Sequence, residues 1–316
     1  MSDLNPQVVV IGNIGIDTNV YLAGNAIDFA HEANFTENLD TVGQAGGYAS
    51  RGYARLGALT AFIGYVGADW MGERIRFTLQ SDGIDTRGLF IDPRGTSRSV
   101  NLVYPDGSRK NFYDGKGHME LHPPVDECLA IMQGARLVHF NIPNWARQLL
   151  APARQLGMTI ACDIQDVVDP ADPYRLDFVR QVDYLFFSAV NHSDPTPVIQ
   201  AYLAINPHLV VLATRGAQGC TLGTSDGIRS YPPVHLELPV VDTNGAGDAF
   251  AVGFLVSRVL KGVDLDEAVF RGQVCARHIA RLERSHLSIQ DPVRIGGDSQ
   301  LQSDAAEIGF ALLPPA

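Results

Sequence analysis

Little in the chain could staple it together or tether it to a membrane. The four cysteines, Cys128, Cys162, Cys220 and Cys275, lie far apart and form no Cys-x-x-Cys pair. That argues against a disulfide framework or a zinc knuckle and for a reduced, cytoplasmic chain. Met1-Ser-Asp-Leu-Asn-Pro has neither the basic nor the apolar stretch of a secretory signal. No apolar run approaches the roughly 20 residues of a membrane span. Positive charge is also short: 24 Lys and Arg stand against 35 Asp and Glu, a formal net charge of −11. An acidic surface disfavours nucleic acid and anionic membranes as partners, so an anionic ligand needs a local positive site. Internal repeats, low-complexity tracts and linkers are missing too.

What is present suits a large α/β core. Hydrophobic residues make up 46% and charged residues 19% of the chain, which argues against global disorder. Length alone allows two domains; without a linker, residues 1–316 are read as one. Short apolar runs recur at Val8 to Ile11, Ala61 to Ile63, Leu137 to Phe140, Thr159 to Cys162, Tyr184 to Phe187 and Leu209 to Leu212. Helical spacing separates them at Tyr48 to Leu56, Met71 to Gln80, Val125 to Met132, Trp145 to Leu156 and Pro197 to Ile205. Strand alternating with helix predicts a mostly parallel central sheet covered by helices on both faces. Ligands of such sheets sit beyond the carboxyl ends of the strands. Two regions break the rhythm, at about 18–44 and 97–113. The second carries a Pro105-Asp106-Gly107 turn between β-rich runs, a hairpin signal. Both read as strands projecting as a small β lid, with ordinary surface loops as the alternative.

The sharpest local pattern is Asp242-Thr243-Asn244-Gly245-Ala246-Gly247-Asp248. It follows an apparent strand end at Val240-Val241 and precedes helical apolar spacing from Ala249. Small residues let backbone N–H groups converge, and a helix N-terminus adds positive potential, so this turn can hold an anion. Asp248 falls in the first helical turn. It can cap the helix, or it can take a proton from a hydroxyl that attacks a phosphoryl group held in the turn.

The string closely resembles the C-terminal signature of the ribokinase-like (PfkB-type) carbohydrate kinases. Further motifs follow in that family's order. Gly12-Asn-Ile-Gly-Ile-Asp17 is similar to its first strand and substrate aspartate. Gly46-Gly47 with the next helix, then Gly64-Tyr-Val-Gly67-Ala-Asp69-Trp-Met-Gly72, resembles its N-terminal signature. Asn191-His-Ser-Asp194 resembles its Asn-x-x-Glu segment, and Thr214-Arg-Gly216-Ala-Gln-Gly219 its nucleotide loop. The resemblance implies transfer of a phosphoryl group from ATP, with magnesium, to a sugar or nucleoside hydroxyl.

By that resemblance Asp248 is the base, and Gly245, Ala246 and Gly247 form the anion hole with Thr243 beside the nucleotide. Asp17, Gly46 and Gly47 bind the sugar, against readings as a turn-forming Asp and a plain helix entry. Asn191 and Asp194 act on hydrated magnesium, against helix capping; Asp194 is one methylene shorter than the family's Glu. Thr214, Gly216 and Gly219 border the nucleotide. Asp242 either orients the loop or, with the carbonyl of Asn244 and with Ser288, joins a monovalent-cation (K+) site. Arg51 stands where the family helix commonly has Asn. Its donor fork suits a carboxylate or phosphate, which suggests an acidic or phosphorylated sugar. The bland reading pairs it with Asp17 or Asp40, or points it to solvent. The histidines show no metal spacing. A nucleoside kinase and a non-catalytic sugar sensor are the alternatives; a dinucleotide-binding oxidoreductase lacks its G-x-G-x-x-G turn. Exposed lid edges would allow a homodimer.

Overall fold

In the computed structural model, residues 5–105, 107–234, 240 and 242–281 are described. The chain runs β1 (Val8–Ile11), β2 (Gly15–Leu22), β3 (Thr36–Gly43), α1 (Gln44–Arg55), β4 (Thr60–Val66), α2 (Trp70–Ser81) and β5 (Asp85–Ile91). It continues with β6 (Ser97–Val103), β7 (Arg109–Asp114), α3 (Val125–Met132), β8 (Leu137–Phe140), α4 (Arg147–Gln155), β9 (Thr159–Asp166) and α5 (Pro173–Val179). Then come β10 (Tyr184–Ser188), α6 (Thr196–Ile205), β11 (Val210–Thr214), β12 (Cys220–Thr224), β13 (Gly227–Tyr231), α7 (Ala246–Leu255) and α8 (Leu265–Arg281).

The large sheet has the order β13-β12-β11-β10-β9-β8-β1-β4-β5. It is parallel from β5 to β11, and β12 pairs antiparallel with both β11 and β13. Alternation along each strand divides its side chains between two cores. Val9, Ile11, Val138, Phe140, Ile160 and Leu185 face α3, α4, α5 and α6. Val8, Val10, Phe62, Ala161, Phe186 and Leu212 face α1, α2, α7 and α8. Burial on both faces explains why the strands read as continuous apolar runs.

A second sheet, β3-β2-β6-β7, joins the two segments that broke the rhythm. Its hairpin closes where Gly107 N donates to Tyr104 O at 2.9 Å, although Asp106 itself lies outside the described residues. The six expected strands and five expected helices are present; Val8–Ile11, Leu137–Phe140 and Val125–Met132 keep their bounds and the others have shifted ends. Helix α1 starts at Gln44 rather than Tyr48, so Gly46 and Gly47 lie inside its first turn. First-turn N–H groups have no intrahelical partner in any case, and Gly46 N donates to Asn13 O at 2.9 Å. No strand runs through Val240, and Val241 lies outside the described residues. No helix among the described residues is long and apolar enough to cross a membrane.

Candidate active site

The carboxyl ends of β1 and β8 meet the small sheet at a narrow cleft of about 20 Å³, lined among others by Gly12, Asn13, Ile14, Tyr65, Ser97 and Tyr113. Asp17, on β2, is 4% exposed. Its Oδ2 accepts from Tyr48 Oη at 2.8 Å and from Gln44 N at 3.1 Å. Its Oδ1 is buried without a partner in the chain. Burial raises this carboxyl above its ordinary range, and the two hydrogen bonds oppose that rise.

Gly46 has to be glycine here, because a Cβ would lie 2.6 Å from Asn13 O. Gly47 packs beside Ile14, 3.1 Å from a Cβ built on the glycine. Gln44, at φ +63°, accepts from Asn13 Nδ2 at 3.3 Å and from Ser97 Oγ at 3.0 Å. Its Nε2 is unpaired. Asn141, the first residue beyond β8, is 1% exposed, and neither its oxygen nor its nitrogen has a partner. Buried polar groups are rarely left unpaired. A set of carboxylate, amide N–H and amide C=O groups with spare valence suits a ligand rich in hydroxyls.

Gly245 takes φ +73° as the N-cap of α7. A Cβ there would meet the Tyr48 ring at 3.3 Å, so one tyrosine packs under the anion loop and bonds the Asp17 carboxylate. Ala246 and Gly247 follow in the first helical turn, and Ala246 N donates to Thr243 O at 3.2 Å. Asp242 accepts from Tyr21 Oη at 2.6 Å and from Asn244 N at 2.8 Å. Both its oxygens therefore hold the loop, the orienting alternative of the two. Ser288, its expected partner at a cation, lies outside the described residues.

Asp248 sits in the first turn of α7. Burial pushes its carboxyl well above the ordinary range, and Asp163 and Asp17 push it the same way. The Arg109 guanidinium pulls it back. Asp163, on β9, is itself held at about 6 by burial.

Asn191 and Asp194 are exposed and bonded within the chain. Asn191 Nδ2 donates to Asp166 Oδ2 at 3.3 Å and to Val167 O at 3.2 Å. Asp194 Oδ1 accepts from Thr196 N at 2.9 Å at the head of α6, so the capping role is present. Thr214 ends β11, and Gly216 and Gly219 shape the turn into β12. Arg51 corrects one expectation. Its Nε donates to Asp82 Oδ2 at 2.6 Å, and both side chains are largely buried. The partner is neither Asp17 nor Asp40, and a second Arg51 bond goes to Val42 O at 3.5 Å. Its charge is thus met within the chain by Asp82.

Residue-by-residue reading missed Tyr48, Gln44, Asn141, Asp163 and Arg109. Asn141 and Asp163 carried a usable signal, since both lie at or near the carboxyl end of a parallel strand. Among the described residues, no group of three or more His, Cys, Asp or Glu gathers to hold a metal. Asp166, Asn191 and Asp194 do supply exposed oxygen donors of the kind a water-rich magnesium takes.

The chain as a whole has known relatives. The family model described as pfkB family carbohydrate kinase matches residues 5–290. The chain belongs to that family. It is accordingly an ATP-dependent sugar kinase in class. Acarbose 7(IV)-phosphotransferase from Actinoplanes sp. is 29% identical over 276 residues, covering 86% of this chain and 91% of the relative. Probable fructokinase-3 of Arabidopsis thaliana is 24% identical, covering 72% and 70%. Among solved structures, a microbiome-derived acarbose kinase superposes with a TM-score of 0.82 at 28% identity, over 90% of this chain and 96% of that one. Arabidopsis thaliana ribokinase complexed with ribose and ATP superposes with a TM-score of 0.72 at 20% identity, over 91% and 95%, which supports the fold alone.

Proposed function

We propose that this kinase transfers the γ-phosphoryl group of ATP to a hydroxyl of a neutral saccharide, with Asp248 as the base. The carrying observation is the Tyr48 bridge, which ties the Asp17 carboxylate to the glycine turn ahead of Asp248. The sugar's hydroxyls bond Asp17 Oδ1, Gln44 Nε2 and the Asn141 carboxamide. One hydroxyl lies against Asp248 and loses its proton to that carboxylate as its oxygen bonds to phosphorus. The bond from phosphorus to the bridging oxygen breaks, and ADP leaves with the electron pair. The N–H groups of Gly245 and Gly247 face the phosphoryl oxygens, where negative charge must be held, and Ala246 N–H joins them by leaving Thr243 O. The small sheet closes over the sugar as a lid. Thr214, Gly216, Gly219 and Thr243 border the nucleotide.

Magnesium would be held through water by Asp194 and Asn191, with Asp166 adjoining, and would neutralise phosphate charge. A neutral acceptor is preferred to an acidic one because Arg51 is paired with Asp82. The acarbose kinases and fructokinases among the relatives make acarbose and fructose the first acceptors to try.

The test is ADP release with a panel of neutral sugars, acidic sugars, sugar phosphates and nucleosides, for wild type and Asp248→Asn. The expected result is turnover on a neutral sugar, with kcat down about 10²- to 10⁴-fold in the variant. Wild-type turnover in Asp248→Asn would sink the assignment of the base. Preference for an acidic sugar, a sugar phosphate or a nucleoside would sink the acceptor class.

A further inference from the structure

The small sheet is joined to the anion loop by a row of asparagines. Asn111 on β7 donates its Nδ2 to Asn101 Oδ1 on β6 at 2.8 Å. Asn101 donates to Asn19 Oδ1 on β2 at 3.0 Å, and Asn244, next to the glycine turn, donates to the same oxygen at 2.7 Å. The first three are direct register partners across the sheet. Asn19, Asn101 and Asn244 are buried, at 1%, 4% and 9% exposed. Buried amides joined end to end are highly constrained, because one lost rung orphans its neighbours.

Arg109 opens β7, two residues ahead of Asn111, and its Nη1 donates to Asn244 Oδ1. The same guanidinium acts on both site carboxylates, opposing the rise in pKa that burial imposes on Asp17 and Asp248. In a chain of net charge −11, this cation stands beside Gly245, where the transferring phosphate must come. Its backbone belongs to the small sheet rather than to the loop.

We infer that Arg109 is a catalytic residue supplied by the small sheet. It contacts the γ-phosphoryl oxygens during transfer, and the asparagine row sets its position against the anion loop. This rests on the kinase reading above and adds to it a coupling. The loop's positive charge therefore comes from the small sheet and depends on how that sheet packs against Asn244. The planar fork can keep one N–H on Asn244 and turn another to phosphate.

The experiment uses the full chain carrying Arg109→Met or Arg109→Lys, with melting curves to confirm folding. Calorimetry compares ADP with a non-hydrolysable ATP analogue, and steady-state kinetics use the best acceptor. We expect ADP affinity to hold in Arg109→Met while the analogue binds roughly tenfold more weakly, the scale of one charge-assisted hydrogen bond. We expect kcat to fall about 10²- to 10³-fold, as for loss of one preorganised donor, with sugar KM little changed. The acid limb of kcat should move to higher pH because Asp248 loses its counter-charge, and Arg109→Lys should recover part of each effect. Equal loss of ADP, analogue and sugar affinity would make Arg109 a mere anchor and overturn the proposal. So would kcat within threefold of wild type. A wild-type chain that binds neither nucleotide would instead overturn the kinase reading, and this proposal with it.

Discussion

Replacing Asp163 with Asn tests the electrostatics of the site without a ligand. Asp163 is 8% exposed, and its Oδ1 accepts from Gln165 N at 2.8 Å, a bond that Asn keeps. Burial holds the carboxyl at about 6 against an ordinary 3.8. The folded chain therefore binds this proton more tightly than the unfolded chain does. Below about pH 4 both states are protonated, and the group costs nothing. As pH rises through 6 the folded carboxyl ionises in its buried place, and stability falls. A rise of roughly two units at 1.36 kcal/mol each sets a ceiling of about 3 kcal/mol on that penalty. Asp163→Asn should thus be more stable by up to about 3 kcal/mol at pH 8 and no more stable at pH 4. At roughly 2 °C per kcal/mol for a chain of this size, the melting temperature should rise by about 6 °C at pH 8. The variant also removes a negative charge that raises the Asp248 carboxyl, so the acid limb of kcat should move to lower pH. The assay is thermal melting of both proteins from pH 4 to 8, followed by pH–rate profiles. A melting difference that is flat across pH, or a variant less stable at pH 8, would refute the reasoning.

Two further substitutions probe the acceptor side. Tyr48→Phe removes one of the two donors on Asp17 Oδ2, so stability should drop by about 1.5–3 kcal/mol, the scale of a hydrogen bond to a charged group. Sugar KM should rise more than kcat falls; an unchanged KM would disconnect Tyr48 from the acceptor. Arg51→Ala breaks a largely buried pair with Asp82 and should cost about 1–3 kcal/mol by leaving that carboxylate uncompensated. Preference between neutral and anionic sugars should not change; if it does, the acidic-sugar reading returns.

The parts of this site legible in the sequence are those whose cause is local. Gly245 needs its left-handed turn and Asp248 its first helical turn for reasons contained in a dozen residues. Asp17 was placed by a strand end and a family motif. What stayed hidden depends on partners far along the chain. Arg51 looked like an anion anchor because its charge is visible in the sequence and its partner is not, since Asp82 lies 31 residues away. Tyr48 likewise reads as a helix residue until the fold sets its hydroxyl on Asp17, also 31 residues away. The asparagine row is the extreme case. Asn19, Asn101 and Asn111 have no common spacing, and each alone is an ordinary strand-weakening residue. Only strand register aligns them, since β2 pairs with β6 in parallel and β6 with β7 antiparallel. Register is set by hydrophobic faces and turns rather than by the asparagines. A one-residue slip of β7 would put Asn111 on the opposite face and carry Arg109 away from Asn244. Arg109 acts at the site only through the pairing of a hairpin 135 residues from the loop it serves. The charge that completes the anion hole therefore depends on the register of the small sheet as much as on the identity of the residue.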